Sequence, residues 1–139
     1  LIAKSLIKKG YKKIGVLGLS YKGNLKVDIL SPVIPFVKHL KSKGINVSLF
    51  DPYYSNKEIG KIVGVKSFKY PQGLSKFDCI VVSIDHKEFK TNIKNITKYL
   101  TNCKYILDNM KVWEKINFPK HITYKISGEK NWIWKTKKF

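Results

Sequence analysis

The sequence predicts an α/β protein with a Rossmann-like, doubly wound fold, in which a mostly parallel sheet carries helices on both faces. Short apolar runs typical of buried strands recur along the chain, and residues 79–84 form an almost continuous one, as strands of parallel sheets do. Segments with apolar residues at helical spacing separate these runs. Strands joined by helical crossovers pair in parallel and are covered on both faces. The 139 residues are enough for one such domain with a buried core.

The first half of the chain is predicted to alternate between helices and strands. A short helix ends at Gly10, a typical C-cap residue, and a second begins at Ser31 as N-cap with Pro32 at the first helical position. The turn signal Asp51-Pro52 ends the second strand. The predicted elements are a helix over residues 1–9, a strand over 14–17, a helix over 31–43, a strand over 45–50 and a short helix over 55–62.

The second half is predicted to continue this pattern. Asp85 is the expected N-cap of a helix, with Glu88 three residues later in a capping-box arrangement, although Asp85 and His86 could also form an acid–base pair. Asp108 and Asn109 are predicted to form a turn. The predicted elements are a short strand over residues 65–68, a loop over 71–73, a strand over 79–84, a helix over 89–100, and strands over 105–107 and 122–126.

The chain is strongly basic, with a net charge of +19. All 28 basic residues are lysines, so no bidentate guanidinium clamp on a phosphate or carboxylate can form within it. A basic surface suggests nucleic acid, an anionic membrane or an anionic small ligand as partner. The lysines are scattered along the chain, which is more typical of a solvated surface. Nucleic-acid binding therefore remains only the alternative hypothesis.

The remaining composition indicates a protein of the cytoplasm. Cys79 lies within an apolar run and Cys103 just before another, as expected of buried free thiols in a reducing compartment. The three histidines are too far apart in sequence to suggest a metal site. No segment approaches the ~18 consecutive apolar residues of a membrane span. Because the sequence begins with leucine, we expect it to be part of a longer protein.

The segment from Val16 to Asn24, Val-Leu-Gly-Leu-Ser-Tyr-Lys-Gly-Asn, is the strongest candidate for a ligand site. A strand runs into a glycine-bracketed loop that carries Lys22, and a helix follows, which is typical of phosphate-binding turns. The glycines do not have the G-x-G-x-x-G spacing of a dinucleotide-binding turn. This pattern predicts an anion site that depends on lysine, backbone N–H groups and hydroxyls. An ordinary loop lysine would give the same spacing.

Four motifs together resemble the C-terminal domain of the UDP-glucose/GDP-mannose dehydrogenase family. They are the segment 16–22, the Ser31-Pro32 helix start, the Asp51-Pro52 strand end, and the run Asp-His-Lys-Glu-Phe over residues 85–89. Each motif is weak alone, but four in order at the ends of predicted elements are fairly specific. The form of the first two is nearest the UDP-N-acetylmannosamine dehydrogenase branch. The resemblance covers roughly residues 14–111.

The resemblance implies an oxidoreductase that converts the C6 alcohol of a UDP-sugar to a uronate with NAD. It implies that NAD is bound mainly by an upstream N-terminal domain, which also precedes a central part with the catalytic cysteine. Residues 1–12 would then end a linker helix, residues 13–127 would form the UDP-sugar-binding domain, and residues 128–139 a basic aromatic tail. Homodimerisation through the central helix is implied as well. On this basis, the isolated chain is expected to be inactive.

The resemblance also assigns site residues. Tyr21 and Lys22 match the aromatic–lysine pair that meets the nucleotide sugar in the family, and a lysine ammonium can neutralise a diphosphate while a ring walls the base or sugar. Two family arginines are replaced, by Ile29 before the Ser-Pro pair and by Met110 shortly after the strand end at Asp108. Lys111 is the candidate substitute for the second of these. A non-enzymatic interaction module on the same fold remains a further hypothesis.

Overall fold

The computed structural model describes residues 2–127, which contain a five-stranded parallel sheet with the strand order β2-β1-β3-β4-β5. This confirms the predicted fold class. Parallel pairing is continuous from one edge to the other. The strands are β1 Lys13–Leu17, β2 Asn46–Phe50, β3 Cys79–Val82, β4 Tyr105–Asp108 and β5 Thr123–Ile126. The predicted tail, residues 128–139, lies outside the described residues.

The two faces of the sheet are covered by different kinds of helix. The α-helices α1 (Ile2–Lys8), α2 (Val33–Ser42) and α3 (Asn56–Val63) pack on one face, where they bury residues such as Leu6 and Val37. The other face is covered by 3-10 turns and by the segment after β4, which buries Trp113. The 3-10 turns are Gln72–Lys76, Lys87–Phe89 and Ile93–Tyr99.

Alternation along the central strands separates the two cores. In β3, Cys79 and Val81 join the core under the α-helices, whereas Ile80 and Val82 join the other. This is the side-chain period of two expected of an extended strand. Because both faces are buried, the strand is apolar at every position, which is why the sequence marks it so clearly.

The loops diverge at the carboxyl ends of β1 and β3. The chain leaves β1 through α2 to reach β2 on one side, and later enters β3 on the opposite side of β1. Such a reversal of strand order is a topological switch point, where open α/β sheets bind ligands outside the strand ends. The loop over residues 18–32, between β1 and α2, and the turn after β3 meet at this point.

The prediction of a helix over residues 89–100 is wrong in type. Asn92 has a positive φ of 55°, and the chain forms two 3-10 turns around it in place of one α-helix. An α-helix here would align Lys90, Lys94 and Lys98 at i, i+4 spacing, where like charges repel. Tertiary packing still buries Phe89 and Ile96, so the apolar pattern was informative even though the helix type was not.

Three further local predictions need correction. The strand over residues 65–68 is reduced to one parallel bridge between Ser48 and Lys66. Helix α2 begins two residues after Ser31, whose Oγ accepts a hydrogen bond from the Val33 N–H at 3.3 Å. The turn Lys87–Phe89 has no side-chain cap hydrogen bond, so the predicted Asp85 cap is wrong. By contrast, Ser55 and Glu58 form a capping box at the start of α3.

Both cysteines are free and fully buried, as predicted. Burial raises the pKa of the Cys79 thiol well above its usual range and raises the pKa of Cys103 to about 12. Since the thiolate is the reactive form, we expect neither thiol to react with an aromatic disulfide reagent in the native protein at neutral pH. Two thiols should react once guanidinium unfolds the chain, followed by absorbance of the released thiolate. Rapid labelling under native conditions would contradict this arrangement.

Within residues 2–127, none of the helices combines the length and the apolar character needed to cross a membrane. Helix α1, which was predicted as the end of a linker, packs against α2 and buries Leu6 completely.

Candidate functional site

The loop over residues 18–32 begins at a glycine that no other residue could replace without strain. Gly18 has a φ of +110°, a region that favours glycine. Its N–H donates to the Phe50 carbonyl at 2.8 Å, and the Ser83 hydroxyl lies 2.7 Å from its carbonyl oxygen. A Cβ on Gly18 would collide with the side chain of Ile84 and come within 2.8 Å of the Ser83 Oγ. The ends of β1, β2 and β3 are thereby joined at this residue.

A buried carboxylate holds the first turn of the loop. Asp51, immediately after β2, is fully buried, and its Oδ2 accepts hydrogen bonds from the N–H groups of Leu19 at 2.7 Å and Ser20 at 3.1 Å. Its Oδ1 accepts from the Tyr53 N–H at 2.9 Å. Burial acts to raise the pKa of Asp51, but hydrogen bonds from His86 and from these backbone groups outweigh it and leave the pKa below its usual value.

A buried histidine connects this carboxylate to the middle of the loop. His86, in the turn after β3, is fully buried, and its Nε2 lies 2.9 Å from Asp51 Oδ2. Its Nδ1 accepts a hydrogen bond from the Asn24 N–H at 2.9 Å. The Asn24 side-chain oxygen in turn accepts from the Lys87 N–H at 2.7 Å. Asn24 has a φ of 62°, which asparagine tolerates better than most residues.

These contacts fix the loop on either side of Tyr21, Lys22 and Gly23. Ser20 is held by Asp51 before the segment and Asn24 by His86 after it. The side chain of Tyr21 is half exposed and that of Lys22 is exposed. We call residues 21–23 the apex. It presents an aromatic ring and an ammonium group to solvent on a backbone that is anchored at both ends.

A second lysine is presented in a similar way after β4. Asp108 is fully buried, and its carboxylate accepts hydrogen bonds from the N–H groups of Met110 at 3.2 Å, Val112 at 3.0 Å and Trp113 at 2.7 Å. The predicted turn is therefore wrapped around an aspartate. Lys111 lies within it, exposed and at a positive φ of 57°. The hydroxyl of Tyr124 also donates to this carboxylate, at 2.6 Å.

The structure places the three predicted site residues beyond the carboxyl ends of the parallel strands. Tyr21 and Lys22 follow β1, and Lys111 follows β4, which is separated from β1 only by β3. Neighbouring strands lie ~4.8 Å apart, so the ends of β1 and β4 are roughly 10 Å apart. Ile29, which is predicted to replace a family arginine, is 73% exposed and lies on the same loop as the apex.

Sequence analysis missed how the loop is held. The sequence offers an Asp85 cap or an Asp85–His86 acid–base pair, whereas in the structure His86 joins Asn24 to Asp51. The usable signal was an asparagine next to glycine in a predicted loop, since asparagine tolerates positive φ. The pairing with His86 spans 62 residues and has no local signature.

The first turn of the loop does not fit a dinucleotide. The N–H groups of Leu19 and Ser20 occupy the place where a dinucleotide-binding turn offers donors to a pyrophosphate. Here both donate to the Asp51 carboxylate, which would repel a phosphate at that position. A phosphate group is therefore disfavoured at this position of the turn.

A doubly wound parallel sheet with a lysine-bearing loop at its switch point defines a nucleotide-binding domain of the Rossmann-like class. The chain belongs to the UDP-glucose/GDP-mannose dehydrogenase family, whose UDP binding domain matches residues 15–115. This match spans β1 to the segment after β4, and so includes the apex and Lys111. The resemblance inferred from four short motifs is thereby confirmed.

Relatives of this chain are UDP-sugar dehydrogenases about three times its length. It is 29% identical over 154 residues to UDP-N-acetyl-D-mannosamine dehydrogenase of Methanococcus aeolicus, covering 95% of this chain and 32% of that protein. The enzyme of the same name from Methanocaldococcus jannaschii is 31% identical, over 86% of this chain and 28% of its own length. The structure of the UDP-D-ManNAc dehydrogenase from Pyrococcus horikoshii superimposes with a TM-score of 0.68 at 26% identity, covering 94% of this chain and 29% of that one.

Proposed function

We propose that this chain is the part of an NAD-dependent UDP-sugar 6-dehydrogenase that binds the UDP end of the substrate. Tyr21 and Lys22 would contact the nucleotide sugar, and Lys111 would approach it from the turn after β4. Family membership and the names of the relatives support the substrate class. UDP-N-acetylmannosamine is the substrate that these names favour.

The anchored apex is the observation that carries this proposal. Lys22 is a point charge that can neutralise a diphosphate, and the exposed ring of Tyr21 can stack on a base or sugar. Because Ser20 and Asn24 are hydrogen-bonded to buried groups, the apex loses little backbone freedom when a ligand binds. A pre-ordered loop of this kind is expected of a binding site more than of a solvated surface turn.

The remaining steps of the reaction would belong to the rest of the enzyme. Because Asp51 fills the place of a pyrophosphate in the β1 turn, we propose that NAD is bound mainly by an N-terminal domain. NAD would supply hydride acceptance there. Residues 1–12 would connect the two parts, and homodimerisation would proceed through the upstream helix. The isolated chain would bind UDP-sugar without oxidising it, and its buried free thiols favour a cytoplasmic setting.

The direct test is a calorimetric titration of the chain with UDP. Replacing Lys22 by alanine is expected to raise the Kd for UDP about ten- to hundredfold, since a hydrogen bond to a charged group contributes ~1.5–3 kcal/mol. Saturating UDP should also raise the melting temperature of the wild-type protein, because a ligand that binds only the native state stabilises it by mass action.

The matched control is Lys12→Ala. Lys12 is an exposed lysine just before β1, at the amino ends of the strands and away from the apex. Its loss changes the net charge equally. A Kd that changes by the same factor in both variants would show only nonspecific attraction to a basic protein. A parallel titration with a single-stranded oligonucleotide at two salt concentrations tests the nucleic-acid alternative, which predicts a steep salt dependence and no preference for UDP.

A further inference from the structure

We propose that His86 is a positioning residue for UDP-sugar binding, which holds the apex in place only while its ring is neutral. The proposal rests on the function proposed above. It concerns a fully buried residue that acts through Asn24. Its chemistry follows from two hydrogen bonds that determine where the ring carries its proton.

The hydrogen bonds assign one tautomer. A backbone N–H can only donate, so the contact from the Asn24 N–H at 2.9 Å requires an unprotonated Nδ1. The ring proton must then be on Nε2, which donates to Asp51 Oδ2 at 2.9 Å. The neutral ring therefore satisfies both neighbours at once. It links the buried carboxylate under the first turn to the backbone that follows Lys22.

Protonation of the ring breaks this arrangement at one end only. A proton on Nδ1 would point at the Asn24 N–H and replace a hydrogen bond by a repulsion between two donors. The bond to Asp51 would persist and strengthen as an ion pair. The loop would thus be released after Lys22 while its first turn stays attached. A charged ring and the Asn24 hydrogen bond therefore exclude each other.

Among the groups around the His86 ring, the Asn24 N–H is the one whose hydrogen bond is lost when the ring is protonated. Asp51 faces Nε2, and the Tyr53 ring meets the imidazole edge-on with centroids 4.6 Å apart. The Tyr53 hydroxyl is 3.1 Å from Glu88 Oε1, so that carboxylate is paired on the far side of Tyr53. Asp85 lies against Gly23 of the apex. Of these contacts, the one with the Asn24 N–H requires an unprotonated ring nitrogen.

Two substitutions of His86 separate its two contacts. His86→Asn places an amide oxygen near the position of Nδ1 and can still accept from the Asn24 N–H. His86→Gln places its amide nitrogen near the position of Nε2 and can still donate to Asp51, but leaves the Asn24 N–H without an acceptor. His39→Gln, at an exposed histidine of α2, is the control for replacing a histidine away from the loop.

The measurement is the Kd for UDP-glucose at about pH 8 and about pH 5.5, two values that bracket the ordinary pKa of a histidine side chain. UDP-glucose is used because UDP has a terminal phosphate that itself titrates near pH 6. We expect the wild-type Kd to rise about tenfold in acid, the effect of one lost hydrogen bond. His86→Gln should bind about tenfold more weakly at both pH values. His86→Asn should restore most of the affinity and remove the pH dependence, and His39→Gln should behave as wild type.

The hydrogen-exchange protection of the Asn24 amide, measured by NMR without ligand, separates failure of this proposal from failure of the proposed function. Protection that is present near pH 8, lost in acid and absent in His86→Gln supports the role of His86 even if UDP-glucose does not bind. Equal protection of Asn24 in wild type and His86→Gln overturns it, as does an equal loss of affinity in His86→Gln and His86→Asn. In the wild type alone, equal protection of the Asn24 amide near pH 8 and in acid also overturns the proposal, so a destabilised variant does not prevent the decision.

Discussion

Replacing Asp51 by asparagine is expected to lower the free energy of unfolding by about 2–3 kcal/mol, the effect of losing hydrogen bonds to a charged group and leaving a buried donor unpaired. The carboxylate accepts from the N–H groups of Leu19, Ser20 and Tyr53, and is bonded to His86. An asparagine amide would turn its own N–H₂ toward one of these donors and leave it unpaired in the interior. The loss is measured by urea denaturation followed by circular dichroism.

Asp78→Asn is the matched control for this variant. Asp78 lies just before β3, at the amino ends of the strands, and is half-buried. It accepts hydrogen bonds from the N–H groups of Lys12 at 3.0 Å and Lys13 at 3.1 Å. Because water reaches this carboxylate, we expect its loss to cost about 1 kcal/mol. Losses of similar size in the two variants would mean that burial of Asp51 adds nothing to its role.

The pKa of Asp51 gives this prediction a pH dependence with a definite sign. The pKa is lower in the folded protein than in the unfolded chain, so ionised Asp51 stabilises the fold. Its contribution is complete above about pH 5 and is lost as the pH falls through the lowered pKa. The difference in unfolding free energy between wild type and Asp51→Asn should therefore shrink in acid. A difference that grows in acid would contradict this assignment.

Gly18→Ala is expected to lower the free energy of unfolding by about 3 kcal/mol or more. A φ of +110° costs roughly 1–2 kcal/mol for a residue with a Cβ, and overpacking against Ile84 and Ser83 adds about 1–3 kcal/mol. The substitution also acts at the residue from which the ligand loop departs. We expect UDP to stabilise this variant less than wild type, as measured by the shift in melting temperature.

Gly44→Ala isolates the backbone part of this effect. Gly44 has a φ of +82°, but a Cβ there would meet no atom within 4 Å. It should cost only the strain of the left-handed conformation, about 1–2 kcal/mol. If Gly18→Ala and Gly44→Ala were equally destabilising, the close approach of Ile84 to Gly18 would have no energetic consequence.

The sheet could be predicted from the sequence because each strand has a local signal. Residues 79–82 are apolar throughout, and β3 is buried on both faces; residues 45–50 alternate, and β2 lies at an edge of the sheet. The region 89–100 shows the limit of such patterns. Its apolar spacing fits a helix, but it cannot show that Asn92 adopts a positive φ or that Lys90 and Lys94 would repel each other in an α-helix.

The candidate site was predictable in its side chains and not in its support. Lys22 and Tyr21 stand in a recognisable loop, so a motif can find them. The support joins Leu19 to Asp51 over 32 residues and Asn24 to His86 over 62 residues, and these distances close only in the folded chain. Aspartate and histidine at strand ends have several common roles, and only the geometry distinguishes an anchor from a cap.

The loop that carries the apex is anchored through main-chain atoms, the N–H groups of Leu19, Ser20 and Asn24. Every residue except proline supplies such a group, so the anchors do not constrain the side chains at positions 21 and 22. Selection, or a protein engineer, could therefore exchange these two side chains freely while the scaffold stays intact. Substitutions at these two positions of the apex would let the same domain acquire new ligand preferences through small sequence changes.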